Sequence, residues 1–342
     1  MNSPMRMCSL VLAAIGACAL AVGCGGSAAT GTVKPENAAA VETLQEAIDR
    51  KYSYRDRLGL DWPTLFERER ADLETASTPQ EFAGHAAELL RAAKDVHIWL
   101  DVEGGQRVAT ERPPREVNFN KDVLRTIVSD VRQHGPCMAT GRIGENIGYV
   151  LIGSWERDKC GLVETEFPNV IADLSATNGL VIDVRPNTGG DERVARTVAQ
   201  YFATGPVVYA KRELRDADAP GGFTPLQDVV LTPAEGVAPY GKPTAVLTGP
   251  VNMSSNEAFL LMMRAAGATL VGEKTLGASG NPQPVELGNG VTEYLPSWRA
   301  YQADGNPLEG VGLTPDVEVA TNAADLQAED PVLDAAVSVV GG

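Results

Sequence analysis

Histidine is scarce: the 342 residues hold three, His85, His97 and His134, scattered and without neighbours at metal-ligand spacing. The five cysteines form no zinc pattern either, so no residue set is in place to hold a metal ion or an organic cofactor. Basic residues are outnumbered, 29 Lys and Arg against 45 Asp and Glu, for a formal charge of −16. No basic stripe and no interleaving of basic with aromatic residues interrupts this acidity, which argues against nucleic acid as a partner and serves solubility. Internal repeats are also missing, which leaves repeat architectures aside.

What is present begins with a leader. Residues 1–23 combine one arginine, an apolar stretch and small residues, the layout of a secretory signal rather than a spanning helix. The sequence LAVGC that ends it resembles a bacterial lipobox, which implies lipidation of Cys24 and attachment of the chain to a membrane. Gly25, rather than Asp, after that cysteine resembles outer-membrane sorting, with the protein facing the periplasm or the surface. Residues 24–37 are small and polar, as suits a tether. With Cys8 and Cys18 in the leader and Cys24 lipidated, Cys137 and Cys160 remain, an even pair in an exported chain and hence an expected disulfide.

Beyond the tether, residues 38–102 carry apolar positions at helical spacing and end in the strand-like HIWLDV, which predicts a small helical N-terminal domain. Residues 103–145 are polar, contain proline and serve as a connecting segment. From 146 to the end, short β-branched runs such as GLVIDV and TAVLTG alternate with helical patterns, which predicts an α/β core with a largely parallel sheet.

Three places hold more polar or glycine content than packing needs. In IDVRPNTGGDE, a buried strand runs through Gly189 and Gly190 into a helix; such a turn presents backbone N–H groups to an anion, or is simply a tight connection. In TGPVNMSSNEAF, Ser254 and Ser255 stand between a strand and a helix. A serine here is placed either to attack, near the positive end of the helix dipole, or to cap the helix, Ser254 and Glu257 having the spacing of a capping box. The third place is KDVHIWL. A nucleophilic serine needs a base, and His97 at the mouth of a strand is better placed than His85, inside a helical pattern, or His134, in the polar segment.

Taken in order, these stretches resemble the C-terminal-processing (tail-specific) serine peptidases, and their tricorn-core branch in particular. LVIDVRPNTGG is similar to that family's strand and glycine turn, NMSSNEAFLLMMRAAGATLVGEKTLGASG to its nucleophile helix and following turn, and LEGVGLTPDVEV to its closing element, while AKDVHIWL resembles the branch's Asp-x-His motif. The resemblance implies a crotonase-like ββα core sheet, a peptide or protein substrate, and Ser254 as nucleophile. It further implies His97 as base, Glu309 as the carboxylate that orients it, and the amides of Ser255 with Gly189 or Gly190 as the oxyanion hole. Ala278 stands where the better-known branch has its lysine base, and Val96 where the tricorn-like branch often has serine. Residues 103–145 are too few for a PDZ module. Two rival readings remain, a binding protein on an idle peptidase scaffold and a structural lipoprotein.

Overall fold

The computed structural model describes residues 31–341. In chain order its helices and strands are α1 (Pro35–Arg50), α2 (Trp62–Thr75), α3 (Pro79–Leu90), β1 (Trp99–Val102), β2 (Val108–Ala109), α4 (Lys121–Ile127), β3 (Ser129–His134), β4 (Met138–Ile143) and β5 (Ile147–Ile152). Then follow α5 (Arg157–Cys160), α6 (Leu162–Asp173), β6 (Gly179–Asp183), α7 (Glu192–Ala199), β7 (Val207–Leu214), β8 (Gln227–Leu231), β9 (Thr244–Thr248) and α8 (Ser255–Ala265). The last are β10 (Thr269–Gly272), β11 (Pro282–Glu286), β12 (Val291–Pro296), β13 (Trp298–Gln302), β14 (Val317–Glu318) and α9 (Pro331–Gly341). The leader and Cys24 lie outside the described residues.

The first three helices start on proline in their first turn, where a missing N–H is no loss, and Asp61 and Thr78 cap α2 and α3 by accepting the N–H groups of Thr64 and Glu81. Their apolar faces, with Leu44, Phe66 and Phe82, close on a separate cluster completed by Leu100 of β1 and by Val285, Val291 and Leu295 of the β11–β12 hairpin. The small helical unit is therefore finished by a segment nearly two hundred residues further along the chain. That hairpin joins β1 and β2 in a four-stranded antiparallel sheet, order β11-β12-β1-β2.

A seven-stranded sheet, order β14-β10-β9-β6-β5-β4-β3, forms the centre; its pairings are parallel from β14 to β5 and antiparallel from β5 to β3. β6 and β9 are buried along their whole length, as strands covered on both faces must be. Leu180, Ile182 and Val246 face the side packed with α6, α7 and α8, whereas Val181, Ala245 and Leu247 face α9. The expected core boundary at residue 146 is corrected here. β3 and β4, within the segment read as a connection, already belong to the central sheet, because β4 pairs along its whole length with β5. Cys137 and Cys160 are joined, with Cα atoms 5.4 Å apart, and fix the turn before β4 to α5. A third sheet, order β13-β7-β8, stands beside this core.

Candidate active site

Parallel neighbours β6 and β9 deliver their following loops to the same end of the sheet, the end at which α/β proteins bind ligands. Asn252 stitches these loops together. Its Nδ2 donates to the carbonyls of Val184, Arg185 and Asn187 at 2.8–3.2 Å, and its Oδ1 accepts the N–H of Gly249. Asn256 takes the indole N–H of Trp155 at 2.9 Å and donates to Val184. Beneath the β6 loop, Arg185, with no solvent exposure, forms ion pairs with both Asp183 and Asp330. Charges this deep persist only when paired and hydrogen-bonded, so the cluster locks the loop's base.

Ser254 sits where β9's loop enters α8, with φ 58° and ψ −134°. Such a backbone costs a non-glycine residue about 1–3 kcal/mol and persists only where the surroundings impose it. Here the N–H of Ser254 donates to the carbonyl of Ala278 at 2.7 Å, and its carbonyl receives the N–H groups of Glu257 and Ala258. Its hydroxyl caps nothing. Glu257, three residues on, does not complete a capping box either. Its buried carboxylate accepts the N–H groups of Gly277 and Ala278 and the hydroxyl of Thr275, pinning the turn that holds Ser254. Burial pushes that carboxyl up to about 7, against these hydrogen bonds.

The glycine turn packs directly on the serine. A Cβ at Gly189 would lie 2.9 Å from the Cβ of Ser254, and one at Gly190, φ 140°, would lie 2.3 Å from the backbone of Trp155 and Glu156. The N–H of Gly189 is already donated to Asn187 Oδ1 at 2.8 Å, which corrects the expectation that this amide is free to bind an oxyanion. The amides of Gly190 and Ser255 have no acceptor among the described residues, and both residues line, with Ser254, a cavity of about 560 Å³.

His97 follows a tight turn in which Asp95 Oδ1 accepts its backbone N–H at 2.9 Å. The side chain is buried, and Nδ1 has no hydrogen-bond partner among the described residues. Burial holds the imidazole below its usual pKa, with the Asp95 charge acting in the opposite sense. Asp95 also accepts the hydroxyl of Tyr52 at 2.8 Å. Glu309 accepts the N–H of Ser279 at 2.7 Å, and Ser279 in turn shares a hydrogen bond with Tyr54 and lines the Ser254 cavity. Burial first, and the Asp95 charge second, hold the Glu309 carboxyl well above the ordinary range.

The chain thus brings Ser254, Ser255 and Gly190 around one cavity and gathers His97, Asp95 and Glu309 into one buried electrostatic cluster. Among the described residues no hydrogen bond joins His97 to Ser254 or to Glu309, and the carboxylate whose charge bears on the imidazole is that of Asp95. Lys274, which precedes the turn where the better-known branch has its lysine base, is exposed, and Ala278 contributes only backbone bonds to that turn. Asp95 enters the sequence reading only as the first residue of the Asp-x-His motif, with no role of its own, and Asn252 and Asn256 carry no signal there, although each lies within two residues of a candidate site residue.

The sequence profile of Peptidase family S41 matches residues 146–319, just over half of the chain. The carboxy-terminal processing protease CtpB of Bacillus subtilis (strain 168) is 24% identical over 196 residues, 55% of this chain and 38% of that protein. The chloroplastic carboxyl-terminal-processing peptidase 3 of Arabidopsis thaliana is 24% identical over 247 residues, 70% of this chain and 44% of that one, so the matches span under half of either relative. A solved structure from Parabacteroides merdae ATCC 43184 shares the fold, with a TM-score of 0.75 at 23% identity over 89% of this chain and 96% of that one. The chain belongs to peptidase family S41, a family of serine hydrolases.

Proposed function

We propose that this chain hydrolyses peptide bonds in protein or peptide substrates through an acyl-enzyme on Ser254, with His97 as the proton acceptor. The observation that carries this reading is the join between β9 and α8. Ser254 is held in a left-handed backbone conformation, its hydroxyl is spent on no cap, and two amides without acceptors share its cavity. A helix start would not need this strain; a nucleophile presented beside an oxyanion hole does.

In the proposed cycle the Ser254 hydroxyl adds to the carbonyl carbon of the scissile bond while its proton passes to the His97 imidazole. The N–H groups of Gly190 and Ser255 stabilise the resulting oxyanion. Collapse expels the amine, which takes the proton back from His97 and leaves an ester on Ser254; water, deprotonated by the same imidazole, then releases the acid. Burial favours the neutral imidazole, the form a base requires. The Asp95 charge offsets the positive charge that His97 acquires, and Glu309 is assigned its part in orienting the ring by the family resemblance alone. The use of histidine in place of lysine follows the tricorn-like branch. The names of the curated relatives suggest action near the C-termini of protein chains. Lipidation of Cys24 would hold the enzyme at a membrane, exported and facing the periplasm or the surface.

Reaction with a fluorophosphonate probe tests the proposal. Labelling that disappears in Ser254→Ala and survives in Ser255→Ala is expected; folded wild-type protein that takes no label favours an idle, peptide-binding scaffold instead.

A further inference from the structure

We infer that Glu69, Asp72 and His85 form a binding site for one divalent transition-metal ion, zinc being the best match to the donors, which ties α2 to α3. The site lies on the helical unit and is independent of the chemistry at Ser254.

In chain order His85 has no ligand-type neighbour at metal spacing; the fold assembles the set from two helices. Only residues 76–78 separate α2 from α3, so the two form a helical hairpin. Phe66 and Leu73 of α2 are buried in one apolar cluster with Phe82, Ala86 and Leu89 of α3, and this packing fixes the backbones beside each other. Glu69 and Asp72, three residues apart, share a side of α2. His85 stands between Phe82 and Leu89 and is half-buried. One imidazole nitrogen and one oxygen from each carboxylate all lie within 4.8 Å of one another. Donors held at about 2.0–2.2 Å from a common ion are at most about 4 Å apart, so small rotations of the outer side-chain torsions close the site.

The donors are also free for a ligand. Asp72 and His85 make no hydrogen bond or ion pair among the described residues, and Arg68 engages only Oε1 of Glu69, at 2.8 Å, which leaves Oε2. Arg70, another cation of α2, is spent on Glu42 at 2.7 Å and Glu74 at 3.2 Å. Two carboxylates beside an imidazole, opposed by one arginine, hold negative charge that a divalent cation offsets. The Glu69 side chain is largely buried, whereas Asp72 is exposed and leaves the remaining coordination positions to water. A nitrogen donor with two oxygens suits zinc, while magnesium and calcium favour sites built from oxygen alone. An ion held by both helices adds a link that unfolding must break, so stability rises with metal.

The test uses the purified chain without a histidine tag, stripped of metal by a chelator that is then dialysed away. Isothermal titration with zinc chloride, and separately with magnesium and calcium chlorides, gives stoichiometry and affinity; thermal unfolding with and without zinc gives the change in stability. Expected is one zinc ion per chain with a dissociation constant of about 10 µM or tighter, and a preference of about tenfold or more over magnesium and calcium. Saturating zinc should raise Tm by about 3 °C or more. His85→Gln and Asp72→Ala, each shown by circular dichroism to be folded, should weaken zinc binding by about tenfold or more and remove the rise in Tm. His134→Gln, at a histidine outside the cluster, should change neither. No saturable zinc binding, binding retained in His85→Gln or in Asp72→Ala, or binding lost in His134→Gln overturns the site. Labelling of Ser254 enters none of these readouts, so the peptidase reading and this one fail separately.

Discussion

Around Ser254, the side chains of Asn187, Asn252, Asn256 and Glu257 spend their polar atoms on backbone and neighbouring groups, with the Ser255 hydroxyl as an exception. Around His97 the balance is reversed. Among the described residues, one ring nitrogen is unpartnered, Asp95 and Glu309 sit together out of water, and in the adjoining four-stranded sheet both carboxylate oxygens of Glu293 are buried without a hydrogen bond. One region is rigid by closed hydrogen bonding and fixes geometry; the other is electrostatically loaded and sets proton affinity. A serine nucleophile needs both, position for the attacking oxygen and a poised acceptor for its proton. On the proposed reading the two come from different sheets of the molecule.

Substitutions that disturb the rigid region should have the largest consequences. Gly190→Ala drives a Cβ into the Trp155–Glu156 backbone at a φ of 140°. A loss of about 3 kcal/mol in denaturant unfolding, together with abolished probe labelling, is expected. Asp330→Asn removes one of the two carboxylates on the fully buried Arg185. Chemical denaturation should register a loss of about 3 kcal/mol, as for other broken buried pairs, with activity falling as the β6 loop loosens.

The loaded region should respond in pH dependence before it responds in stability. Asp95 works to raise the pKa of His97, so Asp95→Asn should move the acid limb of the kcat/KM profile to lower pH, and lower the plateau by about 10- to 100-fold as charge compensation is lost. A limb that moves to higher pH would break the assignment of Asp95 as the charge acting on His97. The smallest expected effect concerns Glu293, which lies opposite Leu100 in the four-stranded sheet and has no part in the proposed cycle. Burial holds its carboxyl well above the ordinary range, with Lys51 acting weakly against that. A raised carboxyl contributes stability that is complete below the unfolded pKa of about 4.3 and is lost as pH climbs toward the raised value. Glu293→Met should remove this slope and stabilise the protein at pH 7 by about 1–3 kcal/mol, measured by urea unfolding at pH 4, 5.5 and 7.

How far each region was legible in sequence follows from the same contrast. The rigid region is written in short, contiguous stretches: VIDV and TAVLTG are unmistakable buried strands, and the glycine turn and serine pair sit at their ends. What could not be read there is which amide is already engaged. Gly189 and Gly190 look alike in sequence, and only the hydrogen bond from Gly189 to Asn187 separates them. The loaded region is assembled from residues 52, 54, 95, 97, 279 and 309, whose proximity depends on long-range packing that no local period reports. Asp95 was legible as part of the Asp-x-His motif, but its electrostatic role was not, because that depends on its burial beside His97. The central sheet was underestimated at its β3–β4 edge for a related reason: β3 is mostly exposed and polar, so it carries no apolar alternation to mark it as a strand.

The joint action of the two regions is tested most directly by the rate at which a fluorophosphonate labels Ser254, followed from pH 4 to 10 in wild type and in His97→Gln. The account predicts a wild-type rate that is level through neutrality and falls only below about pH 6.5, on the acid side of an ordinary histidine, and a rate at least about 100-fold lower in His97→Gln. Equal rates and superimposable profiles in the two proteins would contradict it.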